Sequence, residues 1–162
     1  MAVRIKNRHR LKDREVKELA ATIREKLHGN FLNEKDTVDT GTIEEYMVLL
    51  VNDSIDFLMQ DSSILFTLQG ILKHRPSTHF VVVDMGAVGF VVKGADVMAP
   101  GITDADKLIQ KDDFVWIRDE KYHKPLATGI ALISGEEMKE KKPGKAVKTL
   151  QYVGDRFWML TH

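Results

Sequence analysis

The chain has 162 residues, enough for one large domain or two small ones, and 43% of them are apolar, so it can bury a core. It contains no cysteine, which excludes disulfides, Cys-ligated zinc and thiol catalysis and fits a cytoplasmic protein. Its 24 basic and 24 acidic residues give a formal net charge of zero, which argues against a strong nonspecific polyanion binder.

The two signs of charge are unevenly distributed near the N-terminus. Basic side chains crowd the first residues, at Arg4, Lys6, Arg8, Arg10, Lys12 and Arg14. Acidic side chains follow, at Asp36, Asp39, Glu44, Glu45, Asp53, Asp56 and Asp61. A charge cluster is typical of a solvated face or a tail. The N-terminus lacks the apolar stretch of a secretory signal, and no run of about 18 apolar residues predicts a membrane span.

The first half of the chain predicts a mixed α and β unit. Apolar residues at helical spacing predict a helix over 11–27. The stretch "EEYMVLLVNDSIDFLMQ" predicts two strands around a turn at residues 52–54. Residues 61–63 are expected to cap a second helix, "ILFTLQGILKH", which Pro76 ends. The segment "RPST" predicts a domain boundary.

From Phe80 onward the pattern changes to short strand-like runs separated by Gly, Asp and Pro. The runs are "FVVVD", "VGFVV", "DFVWIRD", "LATGIALI", "KAVKTLQYV" and "RFWML". Many short strands with frequent turns predict a small closed or nearly closed barrel. The charged stretch "EEMKEKKPGKAVK" is interpreted as a mobile hairpin connection.

The segment between Phe80 and Thr103 is both the most apolar and unusually rich in glycine. It predicts a turn over 84–87, a strand over 88–92 and a short helix in "ADVMAP", followed by a second short helix that Thr103 and Asp106 would open. Glycine leaves main-chain groups uncovered, so a flat or anionic ligand could approach them beside Lys93. The alternative is that each glycine only permits a turn.

Three stretches in this half carry a family resemblance. "VDMGAVGFVVKGADVMAPGIT", "DDFVWIRD" and "PLATGIALI" occur in an order and spacing that resemble the PUA domain, named for pseudouridine synthase and archaeosine transglycosylase. Residues 66–103, "FTLQGILKHRPSTHFVVVDMGAVGFVVKGADVMAPGIT", and the ending "YVGDRFWML" resemble the malignant-T-cell-amplified-sequence family of translation-associated proteins, in its compact archaeal form.

The resemblance implies an α+β fold in two parts. An N-terminal α/β pre-PUA domain would occupy residues 1–77, and a β-rich PUA pseudo-barrel with short helices would occupy residues 78–162. The family implies a cytoplasmic, noncatalytic RNA-binding protein that acts on the small ribosomal subunit or tRNA during translation initiation or recycling. Eukaryotic members bind beside a partner with a density-regulated-protein fold, so a translation-factor partner is a candidate here.

The resemblance also implies an RNA-binding surface. Carried over by position, it comprises Lys93, Gly94, Ala95, Met98, Pro100, Gly101 and Ile102, with Tyr152 and Arg156 on a late strand and Lys121 and Lys124 as weaker loop candidates. Lys93 and Arg156 would contact phosphates, while Met98 and Ile102 would abut a splayed base. A secondary RNA contact is assigned to the basic residues Arg4, Lys6, Arg8 and Arg10.

The sequence predicts no catalytic residue, metal or cofactor. The Gly144-Lys145 pair lacks the upstream glycine and the hydroxyl residue of a phosphate loop. His74 and His79 lack the spacing of a zinc helix and are expected to be solvated or to cap a turn. Asp84 is expected to cap the turn at Gly86. Two alternatives stay open: an RNA-modification enzyme or its targeting subunit, and a protein-interaction adaptor that uses the acidic segment.

Overall fold

The structure is a computed structural model that describes residues 4–162. It is an α+β protein that divides into two compact units. The first unit runs to Arg75 and includes Leu160–His162, and the second spans Pro76–Met159. No helix among the described residues combines the length and the apolar character that crossing a bilayer would require.

The first unit is built on a five-stranded antiparallel sheet. Each strand pairs with the next one along the chain, so the sheet is a meander, with a helix inserted in its first connection. In chain order the described elements are β1 (Lys6–Arg10), α1 (Asp13–Leu27), β2 (Val38–Ile43), β3 (Tyr46–Val51), β4 (Ser54–Gln60), β5 (Ser63–Phe66) and α2 (Leu68–His74).

Helix α1 confirms the helix predicted over 11–27. Its buried residues are Val16, Ala20, Ile23 and Leu27, which share one face at spacings of three and four. The backbone N–H of Lys12 donates to the Glu15 carboxylate at 2.9 Å, which closes the amino end. The helix ends at His28, whose φ of 63° turns the backbone left-handed.

The predicted turn between β3 and β4 is also confirmed. Asn52 and Asp53 have φ values of 50° and 69°, and Val51 pairs with Ser54 across them. Two consecutive residues with positive φ form the tight hairpin turn that matches the twist of antiparallel strands. Asn and Asp tolerate this conformation better than other side chains do.

The single helix predicted over "ILFTLQGILKH" is wrong in its first half. Residues 63–66 form β5, which pairs with β4, and only Leu68–His74 are helical. The N-cap is Thr67 rather than the predicted residues 61–63, because its hydroxyl accepts the backbone N–H of Gly70 at 3.0 Å. A four-residue apolar run fits either a buried strand or a helix by periodicity alone.

The second unit is a six-stranded mixed sheet in the order β7-β11-β10-β9-β6-β8, which curls into a nearly closed pseudo-barrel. β6 runs parallel to β9, and the other pairs are antiparallel. Its described elements are β6 (Phe80–Val83), α3 (Met85–Val91), β7 (Val97–Met98), a 3-10 turn (Ala99–Gly101), β8 (Ile102–Ala105), β9 (Phe114–Asp119), β10 (Pro125–Ala131), α4 (Gly135–Lys139), β11 (Lys145–Tyr152) and most of α5 (Arg156–Thr161).

One face of this sheet forms the core of the second unit. Alternate residues point into it, as Val81 and Val83 of β6 and Val115 and Ile117 of β9 illustrate, and all four are fully buried. The predicted strands in "FVVVD", "DFVWIRD", "LATGIALI" and "KAVKTLQYV" are therefore confirmed.

Three predictions between β6 and β9 are wrong. Residues 88–92, predicted as a strand, belong to helix α3 and the turn after it. "ADVMAP", predicted as a helix, contributes the two residues of β7 and the start of the 3-10 turn. The helix predicted to begin at Thr103 is strand β8, which pairs with β6.

A further prediction near the C-terminus is also wrong. "RFWML", predicted as a strand, lies in helix α5, because the Asp155 carboxylate accepts the backbone N–H of Trp158 at 2.8 Å and caps it. The stretch interpreted as a hairpin connection does join the antiparallel strands β10 and β11, but it begins inside helix α4, where Ser134 and Glu137 cap each other reciprocally.

Candidate functional site

Helix α3 is fixed at its amino end by Asp84. The Asp84 carboxylate accepts the backbone N–H of Ala87 at 2.7 Å, and the Asp84 N–H donates to the carbonyl of Gly101 at 2.9 Å. The expected capping role of Asp84 is confirmed, although it caps a helix rather than a turn. Val91 is buried on the inner side of this helix.

The outer side of α3 presents main chain and one aromatic ring to solvent. Gly86 and Gly89 are exposed, and Phe90 is 69% exposed. A Cβ atom built on Gly89 would meet nothing within 4 Å, and one on Gly86 would meet only the Asp84 carboxylate at 3.3 Å. Neither position has a positive φ. Glycine inside a helix costs about 1 kcal/mol relative to alanine, so folding alone favours another residue at Gly89.

The carboxyl end of α3 brings together four of the predicted site residues. The N–H of Gly94 donates to Val91 at 3.0 Å and the N–H of Ala95 donates to Phe90 at 3.1 Å, the pair of bonds that ends many helices at a left-handed glycine. Gly94 has φ +89°, and a Cβ there would lie 2.6 Å from the Tyr152 ring. Glycine is therefore required at this position, and Lys93 is exposed just before it.

Asp155 connects Tyr152 to the start of α5. One carboxylate oxygen accepts the Tyr152 N–H at 3.0 Å while the other caps the helix. Arg156 is the first residue of that helix and is exposed. The structure thus places Tyr152 and Arg156 on one tight turn, and places the Tyr152 ring against Gly94.

The remaining predicted residues of this surface have different environments. Met98 pairs with Lys145 between β7 and β11 and is 47% exposed, and Pro100 is exposed. Ile102 is fully buried in the barrel core, so its side chain packs internally and is left out of the interface.

Gly101 differs from the expectation of an uncovered main chain. A Cβ built there would lie 3.0 Å from the Cβ of Ala87, and the Gly101 carbonyl is bonded to Asp84. Helix α3 therefore lies over Gly101. The exposed main chain is one element earlier, at Gly86 and Gly89. Sequence reasoning missed this face and Phe90 because residues 88–92 were interpreted as a strand.

In the first unit, two of the four basic residues assigned to a secondary contact are paired with carboxylates. Arg8 Nε lies 2.6 Å from Asp39, and Arg8 also pairs with Asp53, while Arg10 pairs with Asp39. The hydrogen bond from Arg10, together with the one from Arg8, outweighs burial and holds the pKa of Asp39 below its usual range. Arg4 and Lys6 are exposed.

The histidines that were weighed as zinc ligands are engaged elsewhere. His74 Nε2 lies 2.9 Å from the buried Asp56 carboxylate, and its ring packs among Phe31, Phe57 and Phe66. His79 is buried, with Nε2 3.0 Å from Asp113. Of the two expected environments, solvated or capping a turn, the solvated one is wrong for both histidines, since each is held by a carboxylate.

The second unit matches a known domain. A family model for the PUA domain matches residues 79–153, which include α3, Gly94 and Tyr152. A malignant T-cell-amplified sequence 1 homolog of Drosophila melanogaster is 30% identical over 133 residues, which cover 78% of this chain and 73% of that relative. The chain belongs to the malignant T-cell-amplified sequence family. The family and the α+β fold class predicted from the sequence are confirmed.

Two further similarities extend over more of the chain. Translation machinery-associated protein 20 of Saccharomyces cerevisiae is 27% identical over 154 residues, or 85% of each chain. The crystal structure of a hypothetical protein from the hyperthermophilic archaeon Pyrococcus horikoshii has 39% identity and a TM-score of 0.86, covering 96% of this chain and 99% of that one. The chain therefore resembles the compact archaeal members of the malignant T-cell-amplified sequence family.

Proposed function

We propose that this protein is a noncatalytic RNA-binding protein of the translation apparatus, acting in the cytoplasm on the small ribosomal subunit or tRNA during initiation or recycling. The proposal depends mainly on one observation: α3 exposes main chain at Gly86 and Gly89, and at Gly89 the fold has room for a side chain. A glycine face lets a sugar–phosphate backbone approach the helix more closely than any side chain would allow.

The groups around this face suit a single-stranded or terminal RNA segment. Phe90 offers an exposed ring for stacking on a base, and Met98 offers an exposed apolar side chain. Lys93 and Arg156 supply positive charge for phosphates. Gly94, Ala95 and Tyr152 hold the carboxyl end of α3 in position, and the Gly101 carbonyl accepts the N–H of Asp84 at its amino end.

Of the four basic residues assigned above to a secondary RNA contact, the proposal keeps Arg4 and Lys6 of the first unit. Arg8 and Arg10 share Asp39, and a paired guanidinium has less to gain from a phosphate. A translation-factor protein is proposed as a further partner, in keeping with the translation machinery-associated name of the yeast relative.

Charge reversal at the interface tests the proposal. The double variant Lys93→Glu with Arg156→Glu is expected to abolish binding to purified small ribosomal subunits and to a transcribed tRNA, measured by filter binding. Both side chains are exposed, so the thermal unfolding midpoint should stay close to that of the wild type. A variant that binds as the wild type does would contradict the proposal, and would favour an adaptor role.

The matched control is Lys107→Glu with Lys111→Glu. Both lysines are exposed in the segment between β8 and β9, and the change in net charge is the same. This control should bind RNA nearly as well as the wild type.

A separate experiment tests the enzymatic alternative. The wild type is incubated with transcribed tRNA, and the nucleosides of that tRNA are examined by mass spectrometry, because any altered nucleoside would show catalysis.

A further inference from the structure

The loop between β9 and β10, residues 120–124, is exposed at every position, but hydrogen bonds to the buried Asp119 side chain hold its backbone. Asp119, only 4% exposed, accepts backbone N–H groups of Lys121 at 2.9 Å, of Lys124 at 3.2 Å and of Tyr122. The N–H of His123 also donates to the Asp119 carbonyl at 3.2 Å. One buried side chain therefore sets the conformation of the whole loop.

The electrostatics of Asp119 agree with this geometry. Burial raises the pKa of its carboxyl, but the hydrogen bonds from the loop N–H groups outweigh burial and hold the pKa below its usual range. The carboxylate stays ionised at neutral pH, when its acceptor strength is greatest. The entropy of ordering the loop is thus lost on folding and does not have to be lost again on binding.

This ordered loop presents a flat ring among cations. Tyr122 is 70% exposed, and the Lys121 ammonium lies over its ring, 5.2 Å from the centroid. Lys124 is exposed on the same loop. The loop carboxylate, Glu120, lies toward α3, where it accepts the N–H of Met85 at 3.4 Å. One lysine therefore lies over the ring and a second is exposed two residues after it, while the Glu120 carboxylate is bonded to the backbone of α3.

The loop is anchored at the amino end of α3. The N–H of Glu120 donates to the Val83 carbonyl at 3.0 Å, one residue before the helix cap. Lys93, Gly94 and Tyr152 lie at the carboxyl end of the same helix, which is about 10 Å long for its seven residues. A strand of RNA that follows the glycine face of α3 would reach the loop at its amino end.

We propose that Tyr122 is a stacking platform for an unpaired base of RNA, with Lys121 and Lys124 contacting the adjoining phosphates. An aromatic ring beside cations suits a nucleotide, which is a flat base joined to an anion. The other four loop residues are charged or polar, whereas a protein partner would need a broader apolar centre. The inference rests on the proposed RNA-binding function and adds Tyr122 to the loop whose Lys121 and Lys124 were named above as weaker candidates.

The test compares two RNA probes by fluorescence anisotropy: a labelled hairpin with a single-stranded 3′ tail, and the same hairpin with a blunt end. Tyr122→Ala should weaken binding of the tailed probe about 5- to 150-fold and leave the blunt probe unchanged. Tyr122→Phe keeps the ring and should retain the affinity. In a second series of probes, the fluorescent base 2-aminopurine replaces one tail base at a time. At one tail position its fluorescence should be quenched on binding to the wild type and to Tyr122→Phe, but not on binding to Tyr122→Ala.

Leu108→Ala is the matched control, because Leu108 is 60% exposed and lies in a different loop. It should bind both probes as the wild type does. If the wild type binds the tailed probe and Tyr122→Ala binds it equally well, the stacking platform is overturned while the proposed function stands. If the wild type binds neither these probes nor ribosomal subunits, both are overturned.

Discussion

Three glycines in and after α3 are present for different physical reasons. Gly94 has a left-handed backbone and lies against the Tyr152 ring, so any side chain there would be strained. Gly86 and Gly89 have ordinary helical backbones, and a Cβ at Gly89 would meet nothing within 4 Å, whereas one at Gly86 would lie 3.3 Å from the Asp84 carboxylate. Because the fold does not need glycine at position 89, its stability cost there points to a ligand that approaches the helix closely.

Gly89→Ala separates the effect of this glycine on stability from its effect on RNA binding. Alanine should raise the free energy of unfolding by about 0.5–1 kcal/mol, because it lowers the entropy of the unfolded chain without a steric conflict. The same methyl group should weaken RNA binding, because it stands between the ligand and the helix. Thermal unfolding and filter binding measure the two effects on the same sample.

The control for Gly89→Ala is Thr22→Ala, an exposed helical position on α1. It should also raise stability through helix propensity, but leave RNA binding unchanged. If Gly89→Ala gains stability and binds as tightly as the wild type, the glycine face is not the contact surface.

At the scale of elements, Asp56 joins α2 to β4. Its carboxylate is fully buried and accepts from Lys73 at 2.8 Å, from Ser54 at 2.6 Å and from His74 at 2.9 Å when that nitrogen carries the proton. Gly70 lies directly beneath, since a Cβ there would be 2.1 Å from the Asp56 carbonyl. Burial raises the pKa of Asp56, but the hydrogen bonds from His74, Lys73 and Ser54 outweigh it and leave the pKa below its usual range.

This pKa shift predicts a loss of stability in acid. A carboxyl whose pKa is lower in the folded state stabilises the fold above its unfolded pKa of about 3.9, and loses that contribution as the pH falls through the folded value. At pH 7, Asp56→Asn should lower the free energy of unfolding by about 1–3 kcal/mol. Calorimetry from pH 7 down to pH 3 should show the difference from the wild type shrinking below about pH 4.

Asp61→Asn serves as the control for Asp56→Asn, because Asp61 is exposed in the β4–β5 turn and asparagine tolerates its φ of 49°. Its difference from the wild type should stay small at every pH. A difference for Asp56→Asn that does not change between pH 7 and pH 3 would show that the ionised carboxylate does not stabilise this unit.

Elements with a clear apolar periodicity or a characteristic turn sequence could be predicted from the sequence. Segments whose helical conformation depends on a capping side chain could not. The face of α1 and the Asn52-Asp53 turn are local signals, and both were found. Residues 88–92 and "RFWML" are rich in β-branched or aromatic residues, which favour strands in isolation. The Asp84 and Asp155 caps, together with burial of Val91 and Phe157, make these segments helical instead.

At the scale of the whole molecule, the residues proposed to face RNA were chosen by family resemblance rather than by composition. Lys93, Gly94 and Tyr152 are 59 residues or fewer apart in the chain, and only pairing of the strands that follow α3 brings them together. Phe90 and Tyr122 lacked any periodic signal, because exposure of an aromatic ring depends on the completed fold.

The balance of charge predicts how binding depends on salt. Several cations are already paired within the fold, including Arg8 and Arg10 with Asp39, Lys139 with Asp104 and Lys145 with Asp96. With zero net charge, and with Lys93 and Arg156 as the cations proposed to contact RNA beside α3, the protein should neutralise about two to four phosphates. Each phosphate neutralised on a single strand contributes about −0.7 to the slope of log binding constant against log salt concentration, so the slope should be about −1.4 to −2.8.

This slope distinguishes a local contact from a broad electrostatic one. Anisotropy titrations with the tailed hairpin over a range of KCl concentrations give it directly. Lys121→Gln should make the slope shallower by about 0.7 if its ammonium contacts one phosphate, and Lys107→Gln should leave the slope unchanged. A slope steeper than about −5 would require more phosphate contacts than the residues around α3 and the loop 120–124 can make. Much of the RNA would then contact other basic residues of the chain.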